Sequence, residues 1–234
     1  MTTKLNLFES KNNTVELYHT GTKDLKEPKY DFISLNSKGY VRAFDFGIGF
    51  YATPNFEVAC NWLYLKTKSQ GVNNHKHVNK YKLNLDGLKV YKFESDEDWL
   101  DFVLYNRSRP TGYNNDLDFE FSEEDYNYFA EVNKHDVIIG RIADDSMYEV
   151  LGHYTDGNFN YDDTIDCVKS MDLGLQYILR SQKAIDNLTF IESFEGKSSD
   201  IKIGRDYNDK HRRTSNEIVN NIFKRNKVGR KRRR

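Results

Sequence analysis

Proline is scarce in this sequence, with three in 234 residues, and cysteine scarcer still, with two. So little proline argues against a proline-rich, low-complexity polypeptide. Cys60 and Cys167 lie far apart with no metal-ligand spacing, and each falls in an apolar-periodic stretch where a small buried thiol is the ordinary role. The six histidines form no zinc pattern; His75-Lys76-His77 lacks partners and reads as an exposed loop, so no metal is expected. No segment approaches 18 apolar residues, and the N-terminus lacks the apolar stretch of a signal peptide. These absences exclude a spanning helix and predict a soluble, cytoplasmic protein in a reducing compartment.

Aromatics, by contrast, are abundant: 16 Tyr and 15 Phe put the aromatic share at 14%. Such a chain has the furniture of an ordered core. Charge is unevenly placed. From Lys224 to Arg234 there are eight Lys and Arg and no acid; removing these from the chain's 35 leaves 27 basic residues against 36 acidic ones. The body is acidic and the tail strongly basic. A basic tail of this density suits a nucleic acid or an anionic surface, or serves as a solubilising end, or docks on the acidic body.

Periodicity divides the chain. Val15, Leu17 and His19 alternate on one face of a first strand that runs into Thr20-Gly21-Thr22. A helix starts near Phe56, with Ala59, Cys60 and Leu63 on one face. Val78–Leu85 and Leu88–Phe93 flank Asp86-Gly87 and read as a hairpin. Ser95 caps a helix reaching Asn106. The acidic, Tyr-rich stretch Tyr113–Asn133 reads as a solvated insertion with helical character. A short strand from Asp136 ends at Asp144-Asp145, a pair suited either to acid/base or metal work or to capping a loop. A helix over Tyr161–Met171, a strand from Leu175, a helical turn at Gln182–Leu188 and a strand from Thr189 follow. Within the strand from Leu175, Gln176 and Ile178 share one face. The simplest division is one domain over 1–194 and a polar extension over 195–234, helical from Thr214 to Phe223 and then basic.

The most distinctive stretch is Phe44-Asp45-Phe46-Gly47-Ile48-Gly49-Phe50-Tyr51-Ala52-Thr53. Two glycines permit a bend and close approaches that a Cβ would block, and the aromatics beside it offer flat faces to a planar ring. A glycine-kinked strand in a β-rich core explains the same residues. His19, at a strand end before Thr20-Gly21-Thr22, is either a polar corner or a satisfied core histidine.

In order along the chain, Tyr18-His19-Thr20-Gly21-Thr22, Asp45–Tyr51, Asn106-Arg107, Ala143-Asp144-Asp145 and Gln176-Tyr177-Ile178 resemble the ADP-ribosyltransferase family of the His-Tyr-Glu type. They are most similar to an uncharacterised bacterial family of that fold, and the resemblance covers about residues 15–192. It implies an α+β fold with the split β-sheet core and flanking helices of ADP-ribosyltransferases. It also implies an NAD-dependent transferase acting on a protein or nucleic acid as a bacterial toxin or effector, with an antitoxin protein as a further partner. By this resemblance His19 bonds the adenosine ribose of NAD, and the backbone of Thr20, Gly21 and Thr22 grips the nicotinamide amide. Phe46, Gly49, Phe50 and Tyr51 form the ring-binding bend, with Tyr51 stacking on nicotinamide beside a second aromatic such as Tyr64 or Phe56. Arg107 either meets the pyrophosphate or caps a helix. Gln176 stands where the family type has its catalytic glutamate, so the catalytic set becomes His19, Tyr51 and Gln176. An amide accepts a hydrogen bond but brings no negative charge and is no base. Three consequences are open: a carboxylate from Asp144, Asp145 or Glu149 substitutes; the acceptor is intrinsically nucleophilic; or the protein holds NAD or ADP-ribose without turnover.

Overall fold

The alternation that begins at Thr14 becomes β1 (Thr14–Gly21), with Leu17 buried between exposed Thr14 and Glu16 and half-buried His19. It is part of a computed structural model that describes residues 13–31, 44–70, 77–108, 121–143, 145–171 and 174–231. β1 runs antiparallel to β3 (His77–Asn84), with His19 opposite Asn79. The other edge of β3 takes β7 (Leu188–Glu195), again antiparallel, with a shift of register between Lys80 and Tyr81. The second sheet has the order β2 (Phe50–Ala52), β6 (Leu175–Leu179), β5 (Val137–Arg141), β4 (Val90–Lys92). Tyr51 lies opposite Ile178 in the β2–β6 pair. One bridge ties the two sheets: Tyr18 N–H donates to Thr53 O at 2.7 Å, and Thr53 N–H returns to Tyr18 O at 3.0 Å. The protein is α+β, as expected.

The hairpin expected around Asp86-Gly87 does not form. The turn is there, with Gly87 at φ +74° and Leu88 N–H bonded to Leu85 O. However, both edges of β3 are occupied, and β4 crosses to the second sheet, where it pairs in parallel with Val137–Ile139. A turn fixes where a chain reverses; the free edges decide what it pairs with.

Seven helices cover these sheets among the described residues: α1 (Phe56–Gln70), α2 (Asp96–Ser108), α3 (Glu123–Val132), α4 (Asp145–Thr155), α5 (Tyr161–Ser170), α6 (Gln182–Asp186) and α7 (Ser198–Lys231). Asn55 caps α1 by accepting from Glu57 N–H at 2.8 Å, and Ser95 caps α2 by accepting from Asp98 N–H at 3.2 Å. Capping boxes start α3 at Ser122 and α5 at Asn160. The acidic stretch expected to be solvated is α3 in part, and it buries Phe129 and Val132; residues 113–120 lie outside the described ones. The α4 helix was not anticipated; Met147, Val150 and Leu151 put its apolar stripe into the core. Helix α7 is far longer than Thr214–Phe223. It lies against α1, where a Cβ on Gly204 would fall 2.0 Å from Cys60 O, and it buries Val219 and Ile222. Part of the presumed extension thus packs on the body, through residues such as Gly204, Val219 and Ile222.

Two main cores result. Phe46, Trp99, Phe102, Phe129, Ile138, Met147 and Ile178 fill the space between the second sheet and the helices. Leu17, Phe50, Tyr81, Val137, Ile139 and Leu179 fill the space between the two sheets. Each such side chain contributes about 1.5–3 kcal/mol by leaving water. The second sheet is therefore buried on both faces. Gln176 and Tyr51 belong to the face shared with Ile178, while Phe50 and Tyr177 belong to the other. Cys60 and Cys167 are free and buried, and burial pushes both thiols up to about 12.

Candidate functional site

The glycine motif folds as a bend closed by its own tyrosine. Gly47 has φ +72°, a conformation costly for any residue with a Cβ, and its N–H donates to Phe44 O at 3.1 Å. Gly49 is required by closeness: a Cβ there would lie 2.4 Å from Ile178 Cγ2 and 2.9 Å from Leu179 O. The Tyr51 hydroxyl donates to Gly47 O at 2.6 Å and accepts from Phe46 N–H at 3.2 Å. Burial, followed by the nearby Asp45 charge, pushes its phenol well above the ordinary tyrosine range.

The bend carries Asp45 onto the sheet face that holds Gln176. Arg107, from the last turn of α2 and 3% exposed, donates through Nε to Asp45 Oδ1 at 2.8 Å and pairs with the same oxygen through Nη2. Gln176, also 3% exposed, donates through Nε2 to Arg141 O at 3.0 Å. Trp99 Nε1 donates to that same Arg141 carbonyl at 3.0 Å. Burial raises the Asp45 carboxyl above its ordinary value; the Arg107 charge and its hydrogen bond partly offset this. Arg107 is thus neither exposed for a pyrophosphate nor a simple helix cap. It pairs with Asp45, whose side chain keeps 16% exposure.

His19 sits on the opposite side of β2. Its Nδ1 is 2.7 Å from Tyr51 O, and its ring lies 4.6 Å from that of Phe50. A carbonyl only accepts, so Nδ1 carries the proton and Nε2 is the ring's acceptor when the ring is neutral. Thr20 is buried, with its hydroxyl donating to Ala59 O at 2.8 Å and its carbonyl accepting from Lys66 Nζ at 2.9 Å. Gly21 ends β1 beside the His19 ring, and Thr22 is exposed. Asn79 pins the chain that follows, accepting from Leu25 N–H and donating to Lys23 O. Phe46 is fully buried between Phe93 and Phe102, and Phe50 packs edge-on to Tyr81, so both rings serve the cores.

Some sequence candidates lie elsewhere. Glu149 is exposed on α4, Asp144 lies outside the described residues, and so does the side chain of Asp145. Phe56 packs with Tyr18 and Phe194 rather than with Tyr51; the aromatic beside Tyr51 is Phe44, 5.6 Å away. Asp45 and Lys66 were missed as site residues. For Asp45 the available signal was its place next to the glycine bend. For Lys66 there was none. Among the described residues no three His, Cys, Asp or Glu side chains gather as a metal site requires, and no helix is long and apolar enough to cross a membrane.

Fold and site together define an α+β protein of two bridged sheets with an Asp45–Arg107 ion pair beside a glycine bend. Residues 15–190 match the family described as "Protein of unknown function (DUF3990)", and the chain belongs to that family. A search of curated proteins finds no match.

Proposed function

We propose that the protein binds NAD at the junction of its two sheets and transfers ADP-ribose to a macromolecular acceptor, on an ADP-ribosyltransferase-like fold. The observation that carries this reading is the convergence of three distant segments. Tyr51 and Gln176 share one face of the paired strands β2 and β6, and His19 is bonded to the Tyr51 carbonyl from β1. The resemblance drawn from the sequence requires that grouping.

In this reading Tyr51 and Phe44 flank the nicotinamide ring, and His19 Nε2 accepts from a ribose hydroxyl. The bond between ribose C1′ and the nicotinamide nitrogen breaks with its electron pair going to the neutral leaving nicotinamide. A nucleophile of the acceptor then bonds C1′ and gives its proton to solvent. Gln176 Oε1 accepts from the ribose 2′-hydroxyl as positive charge develops on the ring. The basic C-terminal segment makes a nucleic acid, or a protein bound to one, the favoured acceptor.

A second reading, an NAD- or ADP-ribose-binding module without turnover, is favoured by one observation: the late-strand position holds a neutral, buried amide. Incubation of the purified protein with NAD and a cell extract separates the two, following free nicotinamide and labelled ADP-ribose. Label on a macromolecule that disappears in Tyr51→Ala supports transfer. NAD binding without either product supports the module. No binding by calorimetry sinks both.

A further inference from the structure

We propose that Lys66 is a latch on the seat of the nicotinamide carboxamide: its Nζ holds the Thr20 carbonyl that the ligand's amide must take, and NAD binds by displacing it. The inference rests on the NAD reading above and adds to it the residue that guards the ring's place.

β1 and β2 meet at one bridge, Tyr18 with Thr53. Two residues farther along each antiparallel strand, the same register sets Thr20 opposite Tyr51. Backbone groups alternate in direction along a strand, so Thr20, like Tyr18, turns its N–H and C=O away from β3 and toward that gap. Among the described residues no second bridge follows, and Tyr51 is paired instead with Ile178 of β6. The sheets part here, and side chains meet the two carbonyls that a continued ladder would have engaged. His19 Nδ1 lies 2.7 Å from Tyr51 O, and Lys66 Nζ, from α1, donates to Thr20 O at 2.9 Å.

A strand edge that ends this way has one N–H donor and one C=O acceptor to offer a flat ligand. A carboxamide is their complement, since its oxygen accepts and its NH2 donates. The Tyr51 residue across the gap carries the ring proposed to meet nicotinamide. Thr20 is only 1% exposed, so a ligand reaches its carbonyl only when a covering group moves. The Thr20 hydroxyl donates to Ala59 O at 2.8 Å and fixes the strand end against α1. The lysine is the part able to swing: its four-carbon stem is flexible, and its amine regains water on release. A ligand that brings an amide NH2 replaces the bond that Lys66 gives up; one without the ring has nothing to put there.

The test uses the full chain as wild type and Lys66→Met, with three ligands followed by calorimetry: NAD, nicotinamide, and ADP-ribose, which lacks the ring. Removing the latch is expected to tighten NAD and nicotinamide binding by about 10-fold, the worth of one hydrogen bond, and to leave ADP-ribose binding as in the wild type. A second readout needs no variant. Acetylation of Lys66 in the wild type by an N-hydroxysuccinimide ester, read by mass spectrometry, is expected to speed up at saturating nicotinamide, because the displaced amine enters water. NAD binding unchanged or weaker in Lys66→Met, an equal gain for ADP-ribose, or Lys66 labelled no faster with nicotinamide bound each overturns the inference while the NAD reading stands. No NAD binding by either form overturns both.

Discussion

The Tyr51 hydroxyl donates to the Gly47 carbonyl 2.6 Å away, so the ring proposed to meet nicotinamide is also the tie that closes the bend bearing Asp45. The two roles are separable. Tyr51→Phe keeps the ring and removes the tie, at an expected cost of about 1–1.5 kcal/mol measured by denaturant unfolding. Its NAD affinity stays close to that of the wild type, whereas Tyr51→Ala loses both. Equal loss of NAD binding in the two variants would show that the hydroxyl, not the ring, makes the contact.

Gly49 tests whether the bend is set by packing. Alanine there places its Cβ against Ile178 Cγ2 and Leu179 O, on the strand that carries Gln176. Backbone cannot move aside as a flexible side chain does. Gly49→Ala is expected to cost about 2–3 kcal/mol and to shift the Gln176 amide resonances. A variant of wild-type stability would mean that β2 and β6 sit farther apart than described.

Lys66 gives the protein a pH dependence of definite sign. Burial lowers its amine to about 8 from the ordinary 10.5. Between those values the unfolded chain holds a proton that the folded chain has released, so stability rises with pH across that window. Below about 8 the folded state carries the cost of a desolvated ammonium. Lys66→Met is therefore expected to be more stable than wild type at pH 7, with the difference shrinking as pH approaches 10.5. Thermal melts of both proteins across this range check it; a constant difference would place the amine in water.

What the sequence revealed was local. The faces of the strand at Leu175, the cap at Ser95 and the glycine bend all follow from residues within a few positions of one another. The pairing of Asp45 with Arg107 joins segments remote in the chain, and nothing near either residue announces it. The hairpin expectation failed for the same reason, because the edges of β3 are claimed by β1 and β7. The α4 stripe of Met147, Val150 and Leu151 was readable at helical spacing just beyond Asp144-Asp145. The first half of α7 carried a sparse hydropathy signal, since it meets α1 through the bare backbone of Gly204 and the apolar side chain of Ile201.

That last contact governs the order of assembly. Helix α1 forms early in the chain, yet the surface that covers it arrives only with Gly204 and the turns of α7 beyond it. The first sheet likewise waits for β7. A nascent chain stopped short of α7 would leave the flank of α1 open to water and to other chains, so folding must draw its two ends together late. Long-range closure of this kind is slow and exposes apolar surface meanwhile.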